Sequence, residues 1–228
     1  MTYFQDNPSP YLTIAETSVP ATPTTGLQKI YIDPADHKLK AVNSSGGVTI
    51  IEQAIPGFVR IASQTLLAPA AVIDFTDIPQ TYSHLKLILQ GRSTAGGIIV
   101  ETDVSMTFNN DSGSNYDAEF VNASGTSSPT STNILGAAQN AIGMIPSALA
   151  TAHYAGSLEV TIPNYAGTTF YKTYLSLTGT AYQAVAASMF NRFGHGQWRD
   201  TSAINRITLA PSSDEFDTGT MATLYGMI

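Results

Sequence analysis

From about residue 85 onward the chain changes character at every second position, and this alternation constrains its fold more than any other feature. Leu85, Leu87 and Leu89 alternate with Lys86, Ile88 and Gln90, and Val104, Met106 and Phe108 alternate with Ser105, Thr107 and Asn109. Leu158, Val160 and Ile162 alternate with Glu159 and Thr161. The longest run covers 169–177, where Phe170, Lys172, Tyr174 and Ser176 interleave with Tyr171, Thr173, Leu175 and Leu177; runs at 204–209 and 221–225 close the chain. A period of two puts successive side chains on opposite faces of an extended strand. Short runs of this kind, separated by Gly, Asn, Asp and Pro, predict an all-β fold, an antiparallel β-sandwich or jelly roll, over 55–228.

Composition narrows what such a sandwich does. Only 12 % of the 228 residues are charged and the formal charge is −7, while 21 Ser and 28 Thr supply the polarity instead. A binder of nucleic acid needs a cationic surface to neutralise phosphates, so none is expected as a partner. Whole-chain disorder is disfavoured by the 43 % hydrophobic content. Long helices lack the Lys, Glu, Arg and Gln that build them. Threonine-rich outward faces suit strands that are solvated on one side. There is no apolar run of about 18 residues, so no membrane insertion by a helix is expected. The opening MTYFQDNPSPYL lacks the basic start and apolar stretch of a secretion signal. The chain has no cysteine, which excludes disulfides and thiolate metal sites.

Two segments precede the sandwich. Residues 1–28 read as an extended Pro-rich arm, punctuated by Pro8, Pro10, Pro20 and Pro23. The aromatics Tyr3, Phe4 and Tyr11 favour an arm laid along a partner over a free linker. Residues 29–54 read as a small three-stranded β meander, with strands at 29–32, 39–42 and 48–51 and turns at Asp33-Pro34-Ala35-Asp36 and Asn43-Ser44-Ser45-Gly46-Gly47. Three such short strands bury too little apolar surface to stand alone, so they need a partner surface for docking or oligomerisation. Two stretches leave helix and strand open. In 133–153, Ile134, Leu135, Ala138, Ile142 and Ile145 fall near helical spacing but Gly136, Gly143 and Pro146 interrupt them, and 181–193 is Ala-rich. The stretch 109–131 reads as surface loops around a short strand at 118–121.

No catalytic constellation assembles from these residues. Ser83 and Lys86 have the Ser-x-x-Lys spacing, but that spacing needs a helix and Lys86 lies in a strand pattern. The loop Asn109-Asn110-Asp111-Ser112-Gly113-Ser114-Asn115 resembles a calcium loop faintly. Its twelfth position is Phe120 or Asn122, neither of which is the required carboxylate. His37, His84, His153 and His195 show no zinc spacing, so no metal is expected. Gly91 to Gly97 is a glycine-rich turn in which Gly97 stands where a phosphate-binding loop needs Lys. Glu101, Asp103, Glu119 and Glu159 read as solvated strand or loop positions, with a pair of acids for glycoside hydrolysis as the alternative. An enzyme is therefore not expected, nor is any cofactor. Among the aromatics, Tyr116 in its polar loop is the first candidate for an exposed contact to sugar or protein. Trp198, between Gln197 and Arg199, is the second.

The C-terminal stretch GQWRDTSAINRITLAPSSDEFDTGTMATLYGMI resembles the closing segment of a jelly-roll-like domain in tailed-bacteriophage virion proteins. There a Gly-x-Trp segment leads into Thr-x-x-Ile-x-x-Ile and the chain ends in Leu-Tyr-Gly-Ile; here the ending, Leu224-Tyr225-Gly226-Met227-Ile228, is one residue longer. FTDIPQTYSHLKLILQGRS and MTFNNDSGSNYDAEF look like that domain's first strands and its Asn-Tyr loop. PATPTTGLQKIYIDPADHKLKAVNSSGGVTII is similar to the Pro-rich lead and small meander of tail-fibre and related appendage proteins. The resemblance implies a structural component on the outside of the virion, of tail-fibre or spike type. Its implied partners are copies of itself (a trimer by analogy), other virion proteins through residues 1–54, and host-surface glycan. A capsid decoration protein that cements the head shell shares every one of these features, and a glycan-degrading enzyme is the alternative from another class. The family offers no shared catalytic residues to carry over.

Overall fold

The computed structural model describes residues 16–51, 57–98, 100–125, 127–183 and 189–228. Tyr3, Phe4 and Tyr11 of the arm lie outside these residues, as do 184–188 of the Ala-rich stretch. The chain divides into two compact units, Met1–Ile55 and Pro56–Ile228. The described residues form fifteen strands and no helix, and the paired strands run antiparallel.

The first unit is the meander β1 (Gln28–Ile32), β2 (Leu39–Asn43) and β3 (Val48–Ile50), paired in that order. Its turns are built by side chains. Asn43 Oδ1 accepts from the backbone nitrogens of Ser45 and Gly47 at 3.0 and 2.8 Å, while Gly46 takes the φ of +84° that the turn demands. Lys40 Nζ binds Asp33 at 2.7 Å and Asp36 at 2.9 Å, fixing the first turn. Glu16 forms a parallel bridge with Ile32 and meets His37 Nδ1 at 2.7 Å. Tyr31, Ala41 and Val42 are buried, whereas Ile30, Val48 and Ile50 are exposed.

The second unit is a sandwich of two sheets, assembled from β4 (Phe58–Thr65), β5 (Ile73–Phe75), β6 (His84–Gly91), β7 (Glu101–Phe108), β8 (Tyr116–Ser124), β9 (Thr130–Ala137), β10 (Asn140–Pro146), β11 (Gly156–Pro163), β12 (Lys172–Ala181), β13 (Met189–Trp198), β14 (Ile207–Pro211) and β15 (Met221–Met227). The larger sheet runs β4-β15-β6-β11-β12-β13-β8-β9 and the smaller one β10-β7-β14-β5. Leu85, Leu87 and Leu89 of β6 and Leu158, Val160 and Ile162 of β11 form one wall of the core; Val104, Met106 and Phe108 of β7 with Ile207 and Leu209 of β14 form the other. Each such side chain contributes roughly 1.5–3 kcal/mol by leaving water.

Several sequence expectations change. The stretch 133–153 is not helical: it supplies β9 and β10. A bulge between Ala141 and Gly143 and a φ of +64° at Gly136 shift the side-chain register, which produced the spurious helical spacing. The strand expected at 169–177 begins later, at Lys172, and runs to Ala181; that expected at 204–209 begins at Ile207. The outward face of β12 is not threonine-rich. Lys172, Tyr174, Ser176, Thr178 and Thr180 point into the sandwich and are buried, while Leu175 and Leu177 point out.

Candidate interaction surface

Tyr116 and Trp198, expected as exposed contacts, are buried at 0 % and 1 % exposure. Tyr116 opens β8 and Trp198 closes β13, directly opposite each other in the strand register. Their rings stack with centroids 6.4 Å apart at an interplanar angle of 15°, and Phe108 packs 5.6 Å from Trp198. The polar loop before Tyr116 folds over this cluster instead of presenting it. Asp111 accepts at 2.6 Å from Trp198 Nε1, at 2.9 Å from Asn115 Nδ2 and at 2.8 Å from the Gly113 nitrogen. The Trp198 bond, followed by those from Asn115 and Gly113, holds the Asp111 carboxyl below its ordinary range. Tyr116 donates its hydroxyl to the Asp111 carbonyl at 3.0 Å and accepts from the Phe108 nitrogen at 3.0 Å. Burial pushes its phenol up to about 12. The calcium-like loop is thus an aspartate-centred turn clamped by an indole. Strand parity carried the signal: Tyr116 is in step with Ala118 and Phe120, and Trp198 with Gly194 and Gly196.

The other candidates are held apart. Lys86 pairs with Glu159 at 2.6 Å on the outer face of the large sheet and lies 5.7 Å from the Phe58 ring. Asp103 accepts from Arg192 at 2.7 Å, and burial raises the Glu101 carboxyl above its usual range. His84 Nδ1 accepts from the Asn164 nitrogen at 3.1 Å. His153, at φ +74°, lines a shallow hollow of about 180 Å³ with Arg92 and Tyr154. Among the described residues no group of three or more His, Cys, Asp or Glu is placed to hold a metal ion.

What the strands do gather is an apolar block on the outside. Leu177 of β12 lies opposite Phe193 of β13, which lies opposite Val121 of β8. These three are 55 %, 54 % and 49 % exposed. One step along the strands, Leu175, His195, Glu119 and Asn133 form the next row across β12, β13, β8 and β9. Glu119, Val121, Phe193 and His195 line a depression of about 170 Å³. Inside the same sheet the counterpart is a seam of hydroxyls. Among the described residues the buried side-chain oxygens of Ser176, Thr178 and Thr180 have no hydrogen-bond partner, and Thr178 faces Gly143 of β10 so closely that a Cβ there would collide with it. β12 therefore carries leucines outward and hydroxyls inward, the reverse of an ordinary sandwich strand. Leu177, Phe193 and Val121 thus form a row of exposed apolar side chains across three neighbouring strands. Sequence reasoning missed it because period-two alternation gives two faces without saying which is buried. Compared with protein-family models, with curated proteins and with solved structures, the chain has no match.

Proposed function

We propose that the protein is a structural component on the outside of a tailed-phage virion, an appendage of tail-fibre or spike type. In this reading it works as a homo-oligomer whose residues 1–54 dock to neighbouring virion proteins, with host-surface glycan as a further contact of the sandwich. The observation that carries it is the reversed strand β12, whose Leu175 and Leu177 join Phe193 and Val121 on the outer sheet face. Apolar side chains turned to solvent cost solubility unless assembly covers them. The resemblance of the closing segment to virion jelly-roll domains supplies the setting. Electron microscopy of particles labelled with antibody against this chain tests the proposal. Label at the tail or its fibres is the expected result. Hundreds of copies over the head shell would replace the appendage with a decoration protein, and label absent from the particle would overturn the virion reading. Purified protein incubated with host polysaccharide is expected to leave polymer length unchanged; measurable cleavage would return the enzyme alternative.

A further inference from the structure

A sheet edge offers unpaired backbone groups to any other strand, and proteins guard edges with short strands, charges, prolines or bulges. The described part of the sandwich has four edges. β5 is three residues long. β10 is bulged between Ala141 and Gly143, ends on Pro146 and is largely buried. β4 carries the exposed Arg60 and meets its neighbour through a bulge between Leu224 and Tyr225. β9 differs from all three. Thr130-Ser131-Thr132-Asn133-Ile134 contains no charge and no proline, and it pairs regularly with β8 from Asn122↔Thr130 to Ala118↔Ile134. Its bulge lies beyond, towards Ala137, and its other side pairs with no strand among the described residues. Thr130 to Asn133 are exposed and Leu135 is 74 % exposed.

We infer that β9 is the contact through which two copies of this chain join, one β9 antiparallel to the other, so that their eight-stranded sheets become continuous. A second copy fits this edge for three reasons. Antiparallel pairing of a strand with itself is isologous and closes after two copies, whereas β9 on β4 would be head-to-tail and open-ended. An uncharged strand brings no like charge opposite itself in any register, whereas β4 carries the cation Arg60. The join also places the Leu177–Phe193–Val121 rows of both copies on one continuous outer face. The inference goes beyond the virion proposal by naming the strand through which copies join, and it is argued from the sheet edges and the outer face without the virion setting.

Light scattering on the full chain at about 100 µM, with hydrogen exchange at two concentrations, tests it. The expected mass is twice the 24.1 kDa of one chain. Amides within 130–134 should exchange at least tenfold more slowly at the higher concentration. The variant Ser131→Lys/Asn133→Lys adds charges beside the outward positions Val121 and Glu119, and is expected to run at the single-chain mass with Trp198 emission unchanged. A single-chain or three-chain mass for the natural sequence would overturn the inference. So would a doubled mass in the lysine variant, or doubled mass with concentration-independent exchange in β9. If the variant fails to fold, the exchange result on the natural chain decides alone.

Discussion

Trp198 Nε1 donates to Asp111 Oδ2 across 2.6 Å, tying the last residue of β13 to the loop between β7 and β8. The chain has one tryptophan, so this bond sits on its own spectroscopic probe. Replacing Asp111 with Ala removes the acceptor and leaves the indole nitrogen, the Asn115 amide and the Gly113 nitrogen without it. A hydrogen bond to a charged group contributes about 1.5–3 kcal/mol. Asp111→Ala is expected to lower stability by about 2–3 kcal/mol in urea titrations, with the emission of Trp198 shifted to the red in the native baseline.

The same carboxylate gives a pH dependence of definite sign. Its folded pKa lies below the unfolded value of about 3.9, so the stabilisation is complete above that value and is lost as pH falls through the folded pKa. Asp117 and Asp200 are lowered for like reasons, Asp117 first by the bond from Gln197 and Asp200 first by the Ser202 nitrogen. Acid titration followed by Trp198 fluorescence should therefore show stability falling below about pH 4. Asp111→Asn should make that fall shallower without abolishing it.

Arg192 joins the two sheets. From β13 it donates to Asn122 of β8 at 2.8 Å and to Asp103 of β7 at 2.7 Å, with its guanidinium 4.7 Å from the Phe120 ring. Arg192→Met keeps the stem but leaves Asp103 without its cation, and is expected to cost about 2–3 kcal/mol in chemical unfolding. Arg192→Lys should recover less than half of that, since an ammonium cannot serve both oxygens and the ring in one plane.

The hydroxyl seam yields the opposite sign. Thr178 Oγ1 is buried against Gly143 with no partner among the described residues. Thr178→Val has nearly the same shape and removes a desolvated oxygen, so it is expected to be neutral or to stabilise by about 1 kcal/mol in urea titrations. Gly143→Ala places a Cβ onto Thr178 and Leu158 and should destabilise by about 1–3 kcal/mol.

These residues also show how far alternation is readable. β6 and β11 were legible because leucine, valine or isoleucine fills every inner position except the terminal Gly91 and Gly156. β13 was not, because Gly194 and Gly196 occupy inner positions and give no apolar period; the Tyr174 ring fills the space over Gly196. β12 announced its period but concealed its sense, since hydroxyls and leucines exchanged the usual faces. The polar immediate neighbours of Tyr116 and Trp198 suggest exposure, whereas a side chain two residues away shares its face and a neighbour does not. The meander's strands were legible from its turn residues, in which Asn43 and Gly46 fix the hairpin.

The proposed virion role depends most on the outward leucines of β12 serving assembly. Leu175→Ser/Leu177→Ser removes them at solvated positions and should change the urea midpoint by less than about 0.5 kcal/mol equivalent. The direct measurement is the amount of this chain in purified particles, counted by quantitative mass spectrometry, when the double variant replaces the natural protein. At least a tenfold loss of copies per particle with folding intact is expected; natural copy number with folding intact would contradict the assembly role of these leucines.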